Sequence, residues 1–449
     1  MMKKQLMTKI TNKTLKVGVI GLGYVGLPLA IEFSAAGFEA IGFDINAEKV
    51  DQLQRGESYI IDISNETLAT ELTKHFQVTT DFSQLADMDA ISICVPTPLT
   101  TSQTPDMSYI ESAVAKIRAN QRKGQLIVLE STTYPGTTEE LIEAVFEEDG
   151  MAVGEDYFLC FSPERIDPGN PTYHTKNTPK VIGGTTLACT ELGKQLYEQV
   201  IPNMIAVSSP KVAEMSKLIE NTFRSINIAF VNELAMLSDA IDVDVWEAIE
   251  AAGTKPFGFM KFLPGPGIGG HCIPLDPMYL SWKAKASNFY SSFIDLAQEI
   301  NRQMPEFVIE KASETLNSTR KALNGSRIVL LGMAYKPDID DVRESPALAV
   351  YDLLQAKGAE IDVVDPFVTQ FRDGNGRVVE TTPLSNEALA NYDLAILLTP
   401  HSSFDLTQIA THSPLILDTK NAFAARNCDH IYTMGNMQKK RSESQLVHV

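Results

Sequence analysis

The feature that most limits how this chain can fold is a set of three glycines near its beginning. An apolar run, K-V-G-V-I, leads directly into G-L-G-Y-V-G, where Gly21, Gly23 and Gly26 precede a pattern typical of a helix. The first glycine permits a tight turn, the second lets the backbone approach a pyrophosphate, and the third lets the helix pack closely on the strand. The next apolar run ends at Asp44, whose carboxylate can accept a hydrogen bond from a ribose hydroxyl.

This order of strand, turn, helix, strand and acid predicts the binding of a dinucleotide. The negative charge of Asp44 opposes a 2′-phosphate, so NAD is favoured over NADP. The alternative is a glycine-rich turn without a ligand, because a lone G-x-G-x-x-G is a weak signal. The complete context of the motif favours the cofactor.

The same alternation of strands and helices runs through the first 208 residues. Further apolar runs end in proline, threonine or serine in D-A-I-S-I-C-V-P-T-P, Q-L-I-V-L-E-S-T and Y-F-L-C-F-S-P-E. Short apolar strands separated by helices predict an α/β fold with a parallel, doubly wound sheet and functional loops after the strands. We therefore predict a NAD-binding Rossmann domain over residues 1–208, after a polar leader of about fifteen residues.

The rest of the chain divides into a helical region and a second α/β region. Residues from Lys211 have helical spacing without a strand signal, which predicts one long, largely buried helix. A loop, F-L-P-G-P-G-I-G-G-H-C-I-P-L-D-P, interrupts helical sequence that resumes beyond it, with Pro305 expected to kink or restart the helix. From Ser326 strands and helices alternate again. The predicted domains are a central helical region over 209–318 and a Rossmann-like domain over 319–449 that ends in a mobile tail.

Charge and cysteine content exclude several classes of protein. The chain has 57 acidic and 38 basic residues, a net charge of −19, which disfavours general nucleic-acid binding. A few well-placed cations and helix N-termini can still hold a diphosphate. The five cysteines are odd in number and form no C-x-x-C pair, so neither a disulfide framework nor a thiolate metal site is expected. We expect no metal, no membrane segment and a reducing, cytoplasmic location.

One cysteine differs from the others in its surroundings. Cys272 lies in G-G-H-C-I-P-L-D-P, a predicted loop where a cysteine is poorly placed to fill a core. Cys94, Cys160 and Cys189 lie in or near apolar runs and are expected to be structural. A thiolate at Cys272 can attack an aldehyde carbonyl and create a hydride donor for a second oxidation, and the alternative is a merely accessible thiol. His271 is not expected to be its base, because neighbouring side chains of an extended loop point apart.

Two polar residues of the long helix and two loop residues are further candidates. Lys217 and Asn221 lie four positions apart and share one helix face, where an ammonium and an amide can stabilise an oxyanion and orient a sugar. The alternative for Lys217 is a solvated side chain. Thr132 in S-T-T-Y-P-G-T and Glu164 in S-P-E-R follow strands, where periodicity does not separate functional loops from structural turns.

Seven motifs taken together resemble those of the nucleotide-sugar 6-dehydrogenases. They are G-L-G-Y-V-G-L-P-L-A, V-P-T-P, S-T-T-Y-P-G-T, S-P-E-R, K-L-I-E-N-T-F-R-S-I-N-I-A-F-V-N-E, G-P-G-I-G-G-H-C-I-P-L-D-P and G-M-A-Y-K-P-D-I-D-D-V-R-E-S-P. They occur in the family's order over nearly the whole chain. The family includes UDP-glucose, GDP-mannose and UDP-N-acetylhexosamine dehydrogenases. S-P-E-R-I-D-P-G-N, K-P-F-G-F-M and C-I-P-L-D-P are most similar to the UDP-N-acetylglucosamine 6-dehydrogenase branch.

The resemblance implies a four-electron oxidation of a sugar 6-hydroxymethyl group to a carboxylate, with two NAD used per turnover. Cys272 would form a thiohemiacetal, which is oxidised to a thioester and then hydrolysed. Lys217 and Asp276 would assist the proton transfers and stabilise oxyanions. Asn221 would help to hold the sugar and the oxyanion.

The resemblance also assigns the contacts to water, cofactor and substrate. Thr132 and Glu164 would position and activate water, and the C-terminal domain would hold the nucleotide half of the substrate. The residues implied for NAD are Gly21, Gly23, Tyr24, Val25, Gly26, Asp44, Thr97, Thr132 and Arg343. The residues implied for the substrate are Glu164, Arg165, Lys217, Asn221, Gly269, Tyr335 and Lys336.

One departure from the family pattern concerns the substrate. UDP-glucose dehydrogenases usually carry an arginine in the loop before the cysteine, whereas the segment 254–263 has only Lys255 and Lys261 as basic residues. This favours an N-acetylated sugar, so UDP-N-acetylglucosamine is the expected substrate and a precursor of surface polysaccharide the expected product. The alternatives are UDP-glucose or UDP-N-acetylmannosamine as substrate, a non-catalytic NAD-binding protein, and a two-electron alcohol dehydrogenase without need of Cys272. The resemblance also implies a homodimer or higher homo-oligomer through the long helix.

Overall fold

A computed structural model describes residues 1–60, 63–166, 172–270, 272–424 and 428–436. Its two compact units are Met1–Glu220 with Met278–Phe289, the first unit, and Asn221–Pro277 with Tyr290–Val449, the second unit. His271 and the predicted mobile tail after residue 436 lie outside the described residues. In the described ranges, no helix combines the length and the apolar character that a membrane span requires.

The first unit is built on an eight-stranded sheet of order β3-β2-β1-β4-β5-β6-β7-β8 in the described part of the chain. The neighbouring strands are parallel except β6 and β7, which are antiparallel. The doubly wound sheet is thus confirmed, but an entirely parallel one is wrong, because no helix crosses over between β6 and β7 among the described residues. The strands are β1 (Lys16–Ile20), β2 (Glu39–Phe43), β3 (Phe76–Thr79), β4 (Ala90–Ile93), β5 (Gln125–Leu129), β6 (Tyr157–Phe161), β7 (Lys180–Gly184) and β8 (Met204–Val207).

Alternate side chains of this sheet enter two cores on its opposite faces. In β5, Leu126 and Val128 belong to one core, whereas Ile127 and Leu129 belong to the other. This alternation follows from the two-residue period of a strand, and helices cover both faces. The helices are α1 (Met2–Thr11), α2 (Gly26–Ala35), α3 (Ala47–Gln54), α4 (Asn65–Leu72), α5 (Ser108–Ala119), α6 (Ala144–Glu148) and α7 (Leu187–Tyr197), with a 3-10 helix at Phe82–Asp87 and a π-helix at Thr138–Glu143.

The segment expected to be a polar leader is mostly the helix α1. Leu6 and Ile10 lie four positions apart and are buried in the core that also holds Leu192 and Leu196 of α7. The sequence pattern did not reveal this helix, in which two apolar residues on one face suffice to dock a short polar helix.

A long helix, α8 (Pro210–Ile241), begins in the first unit and ends in the second, as predicted. The expectation that it is largely buried is wrong, because a stripe of apolar side chains is 45% to 58% exposed. This stripe, here called the α8 stripe, consists of Ile219, Phe223, Phe230, Leu237 and Ile241. Three further helices follow: α9 (Val245–Gly253), α10 (Cys272–Ala286) and α11 (Ser292–Asn317), and α11 continues through Pro305 without a new start.

The second unit contains a parallel five-stranded sheet of order β10-β9-β13-β14-β15 among its described residues. Ile328 and Leu330 of β9 face one core, and Val329 and Leu331 face the other. The prediction of a second α/β region is confirmed. Its strands are β9 (Arg327–Leu331), β10 (Glu360–Val364), the hairpin β11 (Gln370–Arg372) and β12 (Val378–Glu380), β13 (Leu394–Leu397), β14 (Ile416–Asp418) and β15 (Ile431–Thr433), and its remaining helices are α12 (Pro346–Ala356), α13 (Asn386–Ala390) and α14 (Leu406–His412).

Candidate active site

The turn between β1 and α2 has the geometry that the glycine pattern predicts. Gly21 has a φ of +90°, and a Cβ on Gly26 would lie 1.8 Å from the carbonyl oxygen of Gly21. Only glycine is compatible with these two positions. Apart from Gly23 itself and its two chain neighbours, no described residue has an atom within 4 Å of the position that a Cβ on Gly23 would take. This leaves room for a phosphate near the N-terminus of α2, where backbone N–H groups favour an anion.

Asp44 directly follows β2 and contacts this turn. Its Oδ2 accepts a hydrogen bond from the backbone nitrogen of Leu22 at 3.0 Å, and its Oδ1 accepts one from that of Asn46 at 2.9 Å. The Tyr59 hydroxyl donates to the carbonyl of Leu22 at 2.6 Å and fixes the same turn. A carboxylate has about four lone-pair positions, so Asp44 retains the capacity to accept from a ribose hydroxyl. The turn and Asp44 therefore fit a dinucleotide.

The loops after β4 and β5 are joined by hydrogen bonds. Ser131 donates from Oγ to the carbonyl of Val95 at 2.7 Å, and Tyr279 of α10 donates from its hydroxyl to the carbonyl of Thr97 at 2.5 Å. Thr97 is buried, and Thr132 is half-buried. Both threonines thus follow neighbouring strands at the carboxyl edge of the sheet, where ligands bind in α/β folds.

Glu214 of α8 holds the loop that follows Thr132. Its buried carboxylate accepts hydrogen bonds from the backbone nitrogens of Gly136 and Thr138, at 2.5 Å and 2.9 Å, and from the Thr138 hydroxyl at 2.7 Å. Burial raises the pKa of Glu214, and these donors offset part of the shift. Lys217, three residues further along α8, is only 7% exposed. The solvated alternative for Lys217 is therefore wrong, and the helix that carries it is tied to the Thr132 loop.

Glu164 and Arg165 lie in the loop after β6 and have different partners. Glu164 accepts hydrogen bonds at Oε1 from the backbone nitrogens of Arg165 and Ile166 and at Oε2 from the Lys180 ammonium. Burial alone raises the pKa of Glu164, but Lys180 and the two N–H groups outweigh it and hold that pKa below its usual value. The Arg165 guanidinium pairs with Glu220 of α8, so contact of Arg165 with substrate stays a prediction.

Cys272 is the first residue of α10 and not part of an extended loop. The predicted loop is thus shorter than expected, because prolines are compatible with the first turn of a helix, where backbone N–H groups have no intrahelical acceptor. The side chain of Cys272 is exposed, whereas Cys94, Cys160 and Cys189 are buried as predicted. The N-terminus of a helix favours a thiolate over a thiol, which suits Cys272 to nucleophilic chemistry.

Asp276 lies about one turn after Cys272 on α10. It is 2% exposed, and its Oδ2 accepts a hydrogen bond from Nδ2 of Asn221 at 2.5 Å. Asn221 lies on α8, four residues after Lys217. The second unit therefore brings together two of the predicted catalytic residues, Asn221 and Asp276, although they are far apart in the sequence.

The glycine-rich loop that precedes α10 packs against the loop after β9. Gly270 has a φ of +82° and donates from its backbone nitrogen to the carbonyl of Arg343 at 2.9 Å. A Cβ on Gly270 would lie 2.8 Å from the ring of Tyr335, and one on Gly269 would lie 2.6 Å from its Cβ. Gly269 and Tyr335, both predicted to bind substrate, are thus in contact. Arg343 forms an ion pair with Asp341 at 2.7 Å, and its contact with NAD stays a prediction.

Asp365 shows how the second unit differs from the first at the matching position. It follows β10 as Asp44 follows β2, but its Oδ2 accepts hydrogen bonds from the backbone nitrogen of Met333 at 2.6 Å and contacts Nε2 of His401 at 3.0 Å. Oδ1 accepts from two further backbone nitrogens. The protein itself therefore uses the carboxylate that a dinucleotide ribose would need. The loop after β9 instead carries Tyr335 and a half-buried lysine, Lys336.

Lys420 is a candidate residue that the sequence pattern did not reveal. It follows β14, and its ammonium packs against Gly265 of the glycine-rich loop, 2.2 Å from where a Cβ would lie. Burial lowers the pKa of Lys420 to about 8, and Asp418 offsets part of that shift. A basic residue directly after a strand is the signal that could have identified it. No cluster of His, Cys, Asp or Glu suited to a metal ion occurs in the part of the chain that the structure describes.

Comparison with known proteins assigns most of the chain to one family. Residues 15–201 match the NAD binding domain of the UDP-glucose/GDP-mannose dehydrogenase family, residues 211–303 its central domain, and residues 329–425 its UDP binding domain. The chain belongs to this family. The resemblance inferred from the motifs is confirmed, and the protein is an NAD-dependent nucleotide-sugar dehydrogenase with a UDP-binding domain.

Relatives with two different printed activities are similar to this chain. A UDP-N-acetyl-D-glucosamine 6-dehydrogenase of Pseudomonas aeruginosa is 36% identical over 396 residues, which cover 87% of this chain and 92% of the relative. A UDP-N-acetyl-D-mannosamine dehydrogenase of Pyrococcus horikoshii is 34% identical over 392 residues, which cover 87% and 90%. The solved structure of UDP-D-ManNAc dehydrogenase from Pyrococcus horikoshii superimposes with a TM-score of 0.86 at 31% identity and covers 94% of this chain and 99% of that one.

Proposed function

We propose that this dehydrogenase oxidises the 6-hydroxymethyl group of a UDP-N-acetylhexosamine to a carboxylate, with UDP-N-acetylglucosamine as the first candidate substrate. The observation that carries the proposal is the exposed Cys272 at the first position of α10, one turn before the buried Asp276. A two-electron alcohol dehydrogenase needs no nucleophile. A four-electron enzyme needs one to retain the aldehyde between two oxidations.

Cys272 is the proposed nucleophile. Its sulfur attacks the aldehyde carbon after the first oxidation and forms a thiohemiacetal, whose carbon is the hydride donor for the second oxidation. The product of that step is a thioester, which water hydrolyses to the carboxylate. The helix N-terminus stabilises the thiolate that attacks and the thiolate that leaves.

Lys217, Asn221 and Asp276 are the proposed groups for proton transfer and oxyanion stabilisation. The buried ammonium of Lys217 stabilises negative charge on the sugar oxygen, because its field is weakly screened inside the protein. Asn221 donates to Asp276 and so fixes the orientation of its own amide as well as that of the carboxylate. Thr132 and Glu164 would hold and activate the water that attacks the thioester.

The turn at Gly21, Gly23 and Gly26, with Asp44, is the proposed site for the pyrophosphate and adenosine ribose of NAD. Tyr24, Val25, Thr97, Thr132 and Arg343 are the further contacts carried over from the family. When bound, NAD accepts the hydride in each of the two oxidations. The chain's own contribution is to hold the sugar with its reacting carbon near Cys272.

The contacts to the UDP-sugar are proposed from three segments. Tyr335 and Lys336, with Gly269, would hold the nucleotide half, and Arg165 and Glu164 would lie near the sugar. In the segment 254–263, Lys261 pairs with Glu250, and Lys255 lies 4.8 Å from the ring centre of Phe257. The segment has no arginine, and this departure from the UDP-glucose dehydrogenases supports an N-acetylated sugar over UDP-glucose.

UDP-N-acetylmannosamine is the second candidate substrate. The relatives with that activity are about as similar to this chain as those that act on UDP-N-acetylglucosamine. The two sugars differ only in the configuration at carbon 2, so one set of catalytic groups at carbon 6 would serve either.

Each of the three predicted domains has a proposed task. Residues 1–208 would bind NAD, residues 209–318 would carry out catalysis and assembly, and residues 319–449 would bind the UDP-sugar. The exposed apolar side chains of the α8 stripe support assembly into a homodimer. The proposed location is the cytoplasm, where reducing conditions protect Cys272 from oxidation.

Two measurements test the proposed function. Specificity constants measured in parallel with UDP-N-acetylglucosamine, UDP-N-acetylmannosamine and UDP-glucose, with mass spectrometry of each product, identify the substrate. We expect a uronic acid and a preference for an N-acetylated sugar. In addition, Cys272→Ser should abolish net oxidation while NAD binding persists, whereas the matched variant Cys428→Ser, at a half-buried cysteine, should retain turnover. Full turnover by Cys272→Ser would remove the covalent mechanism.

A further inference from the structure

A buried lysine lies behind the candidate water-activating residue in the first unit. The side chain of Lys180, at the start of β7, is only 4% exposed. Its ammonium lies 2.7 Å from Oε2 of Glu130, 3.1 Å from Oε2 of Glu164 and 3.1 Å from the carbonyl oxygen of Pro163. Neither the glycine motif nor the catalytic motifs include Lys180.

These three contacts use the whole donor capacity of the ammonium. A lysine ammonium has three N–H donors, and Lys180 has three acceptors. An unpaired charge would be costly to bury here, so the two carboxylates offset the loss of hydration. Burial alone would lower the pKa of Lys180, but Glu130 and Glu164 raise it above its usual value. Lys180 is therefore a fixed positive charge at every working pH.

The same contact fixes the orientation of the Glu164 carboxylate. Oε1 accepts from the backbone nitrogens of Arg165 and Ile166, at 2.7 Å and 2.8 Å, and Oε2 accepts from Lys180. A carboxylate offers about four lone-pair positions, and these three donors of the described chain use three of them. In the part of the chain that the structure describes, one position on Oε2 remains for a proton from water. Glu164 thus has a defined atom at which it can act as a base.

The other carboxylate in contact with Lys180 belongs to a buried group of polar side chains. Glu130 accepts a hydrogen bond from the Tyr197 hydroxyl, which also lies 2.9 Å from the hydroxyl of Ser92. Burial raises the pKa of Glu130, and Lys180 offsets part of that shift. The negative charges of Glu130 and Glu164 both raise the pKa of the buried Cys94 thiol, in addition to its burial. The charged and titratable groups around Lys180 are thus Glu130, Glu164, Tyr197 and Cys94.

We infer that Lys180 is a positioning residue for thioester hydrolysis, which keeps Glu164 ionised and aimed at the attacking water. The inference rests on the proposed function, because it requires an acyl-enzyme on Cys272. In the step concerned, the water oxygen bonds to the thioester carbon while one water proton passes to Oε2 of Glu164. The carbon–sulfur bond breaks, Cys272 leaves with the electron pair, and the new carboxylic acid loses its proton to solvent.

The experiment measures how fast the acyl-enzyme decays at different pH values. Full-length protein is mixed with NAD and UDP-sugar, and the reaction is quenched in acid at set times. Mass spectrometry then measures the fraction of the Cys272 peptide that carries the acyl group. The decay rate should fall on acidification as Glu164 takes up a proton, and this fall is here called the acidic limb. In Lys180→Met, loss of a cation next to Glu164 should move the acidic limb to higher pH by roughly 1 to 3 pH units. Decay at neutral pH should slow by about tenfold or more, with the KM for UDP-sugar within about twofold of wild type. Lys180→Arg keeps the charge and should restore most of the rate.

Glu130→Gln supplies the second variant. It removes the carboxylate that competes with Glu164 for the ammonium, so the acidic limb should move downward, opposite to the shift in Lys180→Met. A structural role alone would slow both variants without moving the limb. The inference is overturned if a folded Lys180→Met keeps the wild-type limb or if Glu130→Gln moves it upward. If Lys180→Met does not fold, the direction in Glu130→Gln decides.

The two levels of the proposal fail in distinguishable ways. Wild-type enzyme that forms no acyl-enzyme on Cys272 contradicts the proposed function and, with it, the role of Lys180. Wild-type enzyme that forms and hydrolyses the acyl-enzyme, with both variants unchanged in pH dependence, contradicts only the role of Lys180.

Discussion

Asn221 of α8 donates a hydrogen bond to Asp276 of α10, and both side chains are buried in the second unit. This contact fixes the carboxylate that lies one turn after Cys272. A buried carboxylate that loses a donor is left with part of its desolvation cost uncompensated. The contact therefore serves both the stability of the second unit and the orientation of Asp276.

Asn221→Ala should show both effects. Loss of the amide donor should lower the free energy of unfolding by about 1 to 3 kcal/mol and reduce kcat as well. Asn227→Ala is the matched control, because Asn227 lies on the same helix and, among the described residues, donates from its side chain to the backbone carbonyl of Phe223 alone. Its effect on unfolding should stay within about 0.5 kcal/mol. Urea unfolding and steady-state kinetics measure both variants, and equal losses in the two would contradict a special role for Asn221.

Gly270→Ala should weaken the binding of UDP-sugar. A Cβ at this position would lie 2.8 Å from the ring of Tyr335, and the backbone has a φ of +82°, which residues with a Cβ rarely adopt. Gly325→Ala separates the two effects, because Gly325 has a φ of +78° and no described atom within 4 Å of the added Cβ. The positive φ alone should cost each variant about 1 to 2 kcal/mol of stability. Only Gly270→Ala should raise the KM for UDP-sugar, by about tenfold, and an equal rise in both would rule out the contact with Tyr335 as the cause.

Asp365 should make the free energy of unfolding of the second unit depend on pH in the acidic range. Burial alone would raise the pKa of Asp365, but His401 and backbone N–H groups lower it to about 2 from the ordinary value of 3.8. The folded state thus favours the carboxylate by about 2 kcal/mol, a gain present above pH 3.8 and lost as the pH falls toward 2. Denaturant unfolding of wild type and Asp365→Asn should differ most at neutral pH and converge on acidification. A constant difference down to pH 2.5 would contradict this linkage.

Lys420 should titrate well below the other lysines. Its pKa of about 8 means that the ammonium loses its proton between pH 7 and 9 in the folded protein, whereas in the unfolded chain it stays charged to about pH 10. The free energy of unfolding should accordingly rise as the pH increases from about 8 to about 10. NMR of 13C-methylated lysines should show one resonance that titrates near pH 8 and is missing from Lys420→Arg. A resonance assigned to Lys420 that titrates near pH 10 would contradict the burial of its ammonium.

The sequence predicted those parts of the fold that depend on residues close together in the chain. The glycine turn, Asp44 after β2, and the strands β1, β4, β5 and β6 depend on short-range patterns of small, apolar and acidic residues. The strands β3, β7 and β8 were not predicted. The helix α1 was missed because packing against α7, from a distant part of the chain, stabilises it.

Contacts between distant parts of the chain explain the remaining gaps. Lys180 acquires its role from Glu130, 50 positions away, and from Glu164, 16 positions away. Lys420 was missed because its place beside the glycine-rich loop depends on packing against Gly265. No periodic pattern connects such pairs, because side-chain contacts across a sheet depend on strand order. The contact between Asn221 and Asp276 joins two residues whose roles the family resemblance implied without indicating that they meet.

The number of NADH molecules formed per UDP-sugar consumed tests the central claim most directly. With limiting UDP-N-acetylhexosamine and excess NAD, absorbance measures the NADH and mass spectrometry measures the sugar. Two NADH per sugar, with a uronic acid as the product, is the expected result, because the thiohemiacetal on Cys272 is oxidised before release. One NADH per sugar, with an aldehyde as the product, would contradict the four-electron mechanism.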